Sequence, residues 1–202
     1  MLPDFSVSQG ARGLRSLLQR AVALDARALV RVQPLADGAF DVFVTTPFEV
    51  LASRRVVGEL TGDDTVFLAQ QLLDGQVAPS PVVAWPGALP PATGFVELDV
   101  LPVDVVHELA EQGRALARQF SGPLGPPKSL LDQRVLRVEG DGGIAEVSMR
   151  AIFTCTSLGL IPGIATHPDL PRHLRVASKG RWVRIDAPFG SVYESRGINL
   201  LV

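Results

Sequence analysis

The sequence predicts an α+β protein made from a duplicated unit, a helix followed by an antiparallel three-stranded sheet, with the two copies packed about a pseudo-two-fold axis. Three observations predict it. Helix-period and strand-period apolar patterns alternate along the 202 residues. Two stretches far apart in the chain read alike. The chain is also long enough to bury a sizeable core without metal or disulfide, having one cysteine and 47% hydrophobic residues.

The first helix is expected over residues 9–24, capped by Ser8, with Leu14, Leu17, Leu18, Ala21 and Val22 on one face. Residues 29–32 and 40–44 alternate apolar and polar side chains around Ala36-Asp37-Gly38, the composition of a hairpin turn, and residues 50–57 form a third strand. A short helix is expected over 64–73, capped by Asp63 and ended by Gly75. The prolines at 79, 81, 86, 90 and 91 then remove backbone donors. They make 76–92 the connection between an N-terminal half (1–75) and a C-terminal half (93–202), which are expected to pack as one unit.

In the second half, residues 95–100 read as a strand leading into a helix over 102–120. Its apolar stripe is Val106, Leu109, Gly113, Leu116 and Phe120, stepping by three and four. One further helical turn is expected near 129–133, a hairpin over 135–147 around Gly140-Asp141-Gly142-Gly143, and a helix over 148–158. The last hairpin pairs 174–176 with 182–186 around Ser178-Lys179-Gly180.

The repeat is an ordered series. Leu29-Val30-Arg31-Val32 matches His173-Leu174-Arg175-Val176, Thr46-Pro47-Phe48 matches Ala187-Pro188-Phe189, and Val50-Leu51-Ala52-Ser53-Arg54 matches Val192-Tyr193-Glu194-Ser195-Arg196. Upstream, Leu14-Arg15-Ser16-Leu17-Leu18 resembles Met149-Arg150-Ala151-Ile152-Phe153. Period-two reading places Val30, Val32, Val42 and Val44 on one face of the first hairpin, and Leu174, Val176, Val183 and Ile185 on the equivalent face of the second. Superposed, the two stretches should show the same strand order.

Charge is unevenly spread. Residues 59–111 hold nine acids and no lysine or arginine, whereas 112–202 hold twelve bases against seven acids. Such a split either neutralises itself in the fold or leaves one acidic and one basic surface for a charged partner or for self-association. The single cysteine, Cys155, excludes a disulfide framework within the chain. The start at Met1 lacks the basic and apolar regions of a secretion signal, so a cytoplasmic location is expected. The uncharged stretches 75–96 and 151–165 are unsuited to a membrane span, the first by its prolines and the second by its length.

Several constellations of polar residues bear on chemistry. Arg175, Arg181, Trp182, Arg184 and Arg196, with Lys179 nearby, form the most basic neighbourhood and the candidate anion-binding site, since arginines beside an aromatic ring on a strand face can hold phosphates and stack a base. The opposing reading pairs them with Asp186 and Glu194. Gly122 to Ser129 lacks the glycine before lysine that a phosphate loop requires, and its prolines remove donors. His107 and Glu111 lie one helical turn apart, but a zinc helix would carry a second histidine. No nucleophile elbow or carboxylate dyad is present, so no catalytic residue, metal site or cofactor is indicated.

Gly122-Pro123-Leu124-Gly125-Pro126-Pro127-Lys128-Ser129, within the run 121–133, and Trp182-Val183-Arg184-Ile185-Asp186, within the tail 181–193, resemble stretches of uncharacterised actinobacterial proteins. The arginine-rich composition, seventeen arginines to two lysines, fits a GC-rich genome. The resemblance implies no activity, cofactor or site. The expected function is therefore a non-enzymatic binding or protein-interaction module, acting on a protein partner or on itself. Nucleic-acid or anion binding through the basic C-terminal strands is the second reading, and an enzyme with its site between the repeats the third.

Overall fold

The computed structural model describes residues 4–61, 65–75, 84–120, 126–163 and 169–196. The chain divides into two compact units, Met1–Ala92 and Thr93–Val202. Most of the proline-rich stretch, residues 76–83, and the expected cap Asp63 lie outside the described residues.

The first unit runs β1 (Asp4–Gln9), α1 (Ala11–Leu24), β2 (Leu29–Pro34), β3 (Ala39–Thr45), β4 (Leu51–Thr61), β5 (Val66–Leu68) and α2 (Ala69–Leu73). Its strands pair antiparallel in the order β5-β2-β3-β4-β1. Val30 sits opposite Val44 and Val32 opposite Val42, and all four are buried. Leu14, Leu17, Leu18 and Ala21 of α1 are buried too, as the period of that helix requires. Each fully buried valine or leucine contributes about 1.5–3 kcal/mol relative to an exposed one.

Two expectations for this unit change. Ser8 belongs to β1, not to a helix cap: a register shift between Val7 and Gln9 turns its hydroxyl to donate to the Val57 carbonyl at 3.2 Å. Gly10 takes the cap position instead. Its φ of 87° is left-handed, which glycine adopts without a Cβ penalty. The expected helix over 64–73 opens as a strand, because β5 pairs with β2 and puts Phe67, fully buried, opposite Val30. In so short an apolar window the two periods are indistinguishable, and strand pairing decides. Gly58 shows how closely β1 lies on β4, since a Cβ there would fall 2.0 Å from the Ser6 carbonyl oxygen.

The second unit runs β6 (Val96–Pro102), α3 (Val103–Phe120), α4 (Lys128–Leu131), β7 (Arg134–Gly140), β8 (Gly143–Ser148), α5 (Met149–Ser157), β9 (His173–Lys179), β10 (Trp182–Ala187) and β11 (Gly190–Ser195). Strands pair antiparallel in the order β6-β9-β10-β11, and β7 with β8 makes a separate hairpin. Leu174, Val176, Val183 and Ile185 are buried, as period-two reading requires. The outermost strand β6 exposes Val96 and Val100, but a register shift between Glu97 and Asp99 and the two acids themselves discourage pairing with another strand.

The helix and three strands recur in the same order, α1-β2-β3-β4 and α5-β9-β10-β11, so the duplicated unit is present. In each unit a further strand flanks the first strand of the hairpin and leads into a helix that packs on the repeat helix. That addition follows the repeat in the first unit, as β5 and α2, and precedes it in the second, as β6 and α3.

The stripe of α3 is rotated from the expected one. Its buried side is Val103, Val106, Ala110, Gly113 and Ala117, while Leu116 is 39% and Phe120 66% exposed. Small residues win the inner face because α5 approaches closely: a Cβ on Gly113 would fall 2.7 Å from Met149 Sδ and 2.9 Å from Phe153 Cζ. We expect Gly113→Val to lower stability by about 1–3 kcal/mol through overpacking. Leu116→Ser should stay within about 0.5 kcal/mol. Urea denaturation of the two variants measures both, and a costlier Leu116→Ser would restore the stripe that spacing alone suggests.

Candidate functional site

The outer face of β9, β10 and β11 is where sequence placed the anion site. Register sets Trp182 opposite Lys179 and Ser195, Arg184 opposite Ala177 and Tyr193, and Asp186 opposite Arg175 and Ser191. Alternation along β10 therefore puts Trp182, Arg184 and Asp186 on one face, with Val183 and Ile185 on the other.

Much of this face is already occupied by the chain itself. The Phe95 ring lies over the Arg184 guanidinium at 4.5 Å and meets Tyr193 edge-on at 6.0 Å. Arg184 also pairs with Asp186 at 2.9 Å, and Ser191 Oγ donates to the second Asp186 oxygen at 2.7 Å. Lys179 Nζ donates to the Thr93 carbonyl at 2.6 Å, so residues 93–95 cross the sheet here. Arg196 turns away and donates to the Ile144 carbonyl at 2.7 Å. Trp182 is 8% exposed, with the Arg181 guanidinium 5.4 Å from its ring centre. Of the five expected residues, only Arg175 and Arg181 present exposed side chains.

Glu194 lies elsewhere than expected. It sits opposite Val183 on the inner side of the sheet, 6% exposed, and accepts hydrogen bonds from Arg134 and from the Ser148 backbone N–H, the latter at 3.2 Å. Ser148 is the cap residue of α5 and its own hydroxyl makes no cap bond. The glutamate thus supplies the carboxylate that the start of α5 lacks, which suits the helix dipole, and binds the base of the β7-β8 hairpin to β11. Close by, Arg150, 7% exposed, donates through Nε to Asp132 at 2.8 Å. That hydrogen bond, before the Coulomb attraction of Arg150, holds the Asp132 carboxyl below its ordinary pKa.

The remaining candidates are structural in their contacts. His107 Nε2 donates to the Pro162 carbonyl at 2.9 Å, a bond that fixes its tautomer because a carbonyl can only accept. An open cleft of about 360 Å³ is lined by Asp104, His107, Glu108 and Glu111. Asp104 pairs there with Arg172 at 2.6 Å, and Glu111 with Arg114. Among the described residues no three His, Cys, Asp or Glu side chains are placed to hold a metal. Lys128 opens α4 behind Pro127, while Gly122 and Gly125 lie outside the described residues. Cys155 is fully buried, and desolvation pushes its thiol up to about 12. Asp99 accepts from the Val100 N–H at 2.7 Å. Among the described residues, no helix is long and apolar enough to cross a membrane.

Sequence reasoning put Glu194 among the partners of the outer-face arginines, missing its place at the start of α5, and it missed Phe95. The signal for Glu194 was legible, since it shares the inward phase of Val192 on its strand. Phe95 gave none, because its position over Arg184 depends on how the connection crosses the sheet.

Glu194→Gln should destabilise the fold by about 1–3 kcal/mol, the cost of losing a hydrogen-bonded charge, as read by urea denaturation. The depressed pKa of Asp132 means its ionised form supports the native state at neutral pH, with that support lost as pH falls through the folded value. Asp132→Asn should therefore flatten the acid limb of a stability-against-pH curve. Iodoacetamide should leave Cys155 unmodified at pH 8 until the chain is denatured, since a buried protonated thiol is a poor nucleophile; alkylation of the folded protein at the unfolded rate would contradict its burial.

Comparison with known proteins bears on the fold. Residues 90–199 match a domain of unknown function, DUF8185, and residues 4–93 match a second, DUF8010. No curated protein sequence matches the chain. The chain is similar in structure to the DNA polymerase sliding clamp of Pseudomonas aeruginosa solved with a ligand, at TM-score 0.55 and 11% identity over 100% of this chain and 66% of that one. It is likewise similar to the DNA polymerase III beta subunit of Thermotoga maritima, at TM-score 0.52 and 13% identity over 96% and 64% of the two chains. A putative beta subunit from Eubacterium rectale gives TM-score 0.52 and 10% identity over 94% and 63%. The chain thus spans just under two-thirds of the length of these relatives, and the likeness is one of fold. With more than half of its residues inside the match, the chain belongs to the DUF8185 family, and its α+β architecture is of the sliding-clamp kind.

Proposed function

We propose that the chain is a non-enzymatic, cytoplasmic interaction module whose partner is a protein, and that α3 offers the docking surface. The observation that carries this reading is the outward side of α3. Phe120 and Leu116 stand exposed one turn apart, flanked by Arg114 and Arg118, while alanine and glycine line the inner side. An exposed aromatic beside arginines is the chemistry of an interface anchor, where burying a large ring yields most of the affinity. The clamp-like fold supports it, since the similar structures are by name a DNA polymerase sliding clamp and a DNA polymerase III beta subunit, parts of a protein assembly. A second copy of the chain is the competing partner.

Anion binding by the C-terminal strands survives as a second reading in reduced form. The exposure of Arg175 and Arg181 favours it, with Arg181 held over Trp182, while Arg184 and Arg196 are spent within the fold.

Affinity purification of the tagged chain from its native host, compared with Phe120→Asp and Leu116→Asp, tests the first reading. A stoichiometric partner should be retained by the parent chain and lost from both variants, with thermal unfolding unchanged. A parent chain that purifies alone as a monomer, or a partner held equally by the variants, would sink it.

A further inference from the structure

Strand β11 ends at Ser195, and Arg196 sets the course of the chain beyond it. Its backbone N–H donates to the Arg181 carbonyl at 2.8 Å, and its Nη2 donates to the Ile144 carbonyl at 2.7 Å. The first bond carries the pairing of β10 and β11 one residue further, and the second holds Arg196 against the start of β8. Residues 197–202 follow and lie outside the described residues. Ile198, Leu200, Leu201 and Val202 make this segment mostly apolar and it carries no charged side chain, so burying it is favourable wherever apolar surface lies within reach.

Such surface is exposed at that place. Ile144 is 43% and Val96 50% exposed. They flank the turn of the β7-β8 hairpin: a Cβ on Gly142 would fall 2.7 Å from Val96 Cγ1, and Ile144 stands two residues further along. Register puts Val96 on the side of the sheet where Glu194 lies. Val96 pairs with Ser178, Ser178 with Val183 and Val183 with Glu194, and directly paired side chains share a face, here the inner one. That row spans three strand spacings, about 14 Å, whereas six extended residues reach about 20 Å. The other exposed apolar side chains of this unit stand elsewhere. Val100 pairs with Arg175, and Arg175 with Asp186, which places it on the outer face, while Leu116 and Phe120 belong to α3.

We propose that residues 197–202 form a strap that lies across Ile144 and Val96 and covers the junction between the hairpin turn and β6. The turn meets β6 through glycines. A Cβ on Gly140 would fall 2.2 Å from the Leu98 carbonyl oxygen, so backbone lies on backbone there and neither Gly140 nor Gly142 has a side chain to close over Val96. The strap supplies the missing apolar cover, and it shields the end of the outermost strand from a foreign segment. It is thereby an internal competitor: any extended apolar segment that takes this surface has first to displace it. The surface is separate from the Phe120 surface of α3, so the failure of one leaves the other standing.

Methyl NMR and amide exchange, measured on the full chain and on a chain ending at Arg196, test the proposal. Removing residues 197–202 should move the Ile144 and Val96 methyl resonances and speed amide exchange in the hairpin turn by about threefold or more, with the Val176 and Leu116 methyls unmoved. Leu200→Asp with Leu201→Asp should reproduce both changes, and Leu200→Ile with Leu201→Ile should not. The aspartate pair keeps the chain at full length, so a truncated chain that fails to fold leaves the test intact. Unmoved Ile144 and Val96 resonances in the aspartate variant would overturn the proposal. So would changes centred on Leu116, or resonances of the full chain that shift with protein concentration, since the segment would then dock on α3 or on a second copy.

Discussion

Val30 faces Val44 and Val32 faces Val42 across the first hairpin, none of them reaching solvent, and in the second hairpin Val176 faces Ile185 between the equally buried Leu174 and Val183. Strand register follows from these layers, because a slip of one residue would turn every one of those side chains to the other side of the sheet. The repeat helices are then placed by the same surface: α1 and α5 have apolar residues to bury, and the inner layer of each sheet covers them.

Charged groups take a different role on either side of these sheets. On the inner side of β11, Glu194 closes the start of α5 and holds the hairpin base through Arg134. On the outer side, Asp186 and Phe95 hold Arg184 between them. These arginines fasten pieces of chain together, and a guanidinium clamped beneath a ring and against a carboxylate is poorly placed to receive a ligand.

The repeat, the two valine-rich hairpins and the order of most elements were legible in the sequence, since period-two alternation and turn residues such as Asp37-Gly38 encode local geometry directly. What stayed hidden depended on contacts between distant residues. The rotation of α3 follows from the bulk of Met149 and Phe153, which no pattern within the helix reveals. The strand at 66–68 forms because Arg31 and Val30 offer a free edge. The basic cluster read from 175–196 dispersed because Asp186 and Phe95 hold Arg184, Arg196 turns to the Ile144 carbonyl, and residues 93–95 cross the face. Duplication fixed the scaffold, and the differences between the copies, such as glutamate at 194 where the first copy has alanine at 52, mark where each unit was adapted.

Native-state hydrogen exchange, resolved to single amides, tests most directly that both units are held by equivalent apolar layers. The slowest amides should lie in β2 and β3 and, to a similar degree, in β9 and β10, with those of α2 and β5 opening far more readily. Slow exchange confined to one unit, or β9 amides exchanging as fast as those of α2, would contradict the shared packing on which the architecture rests.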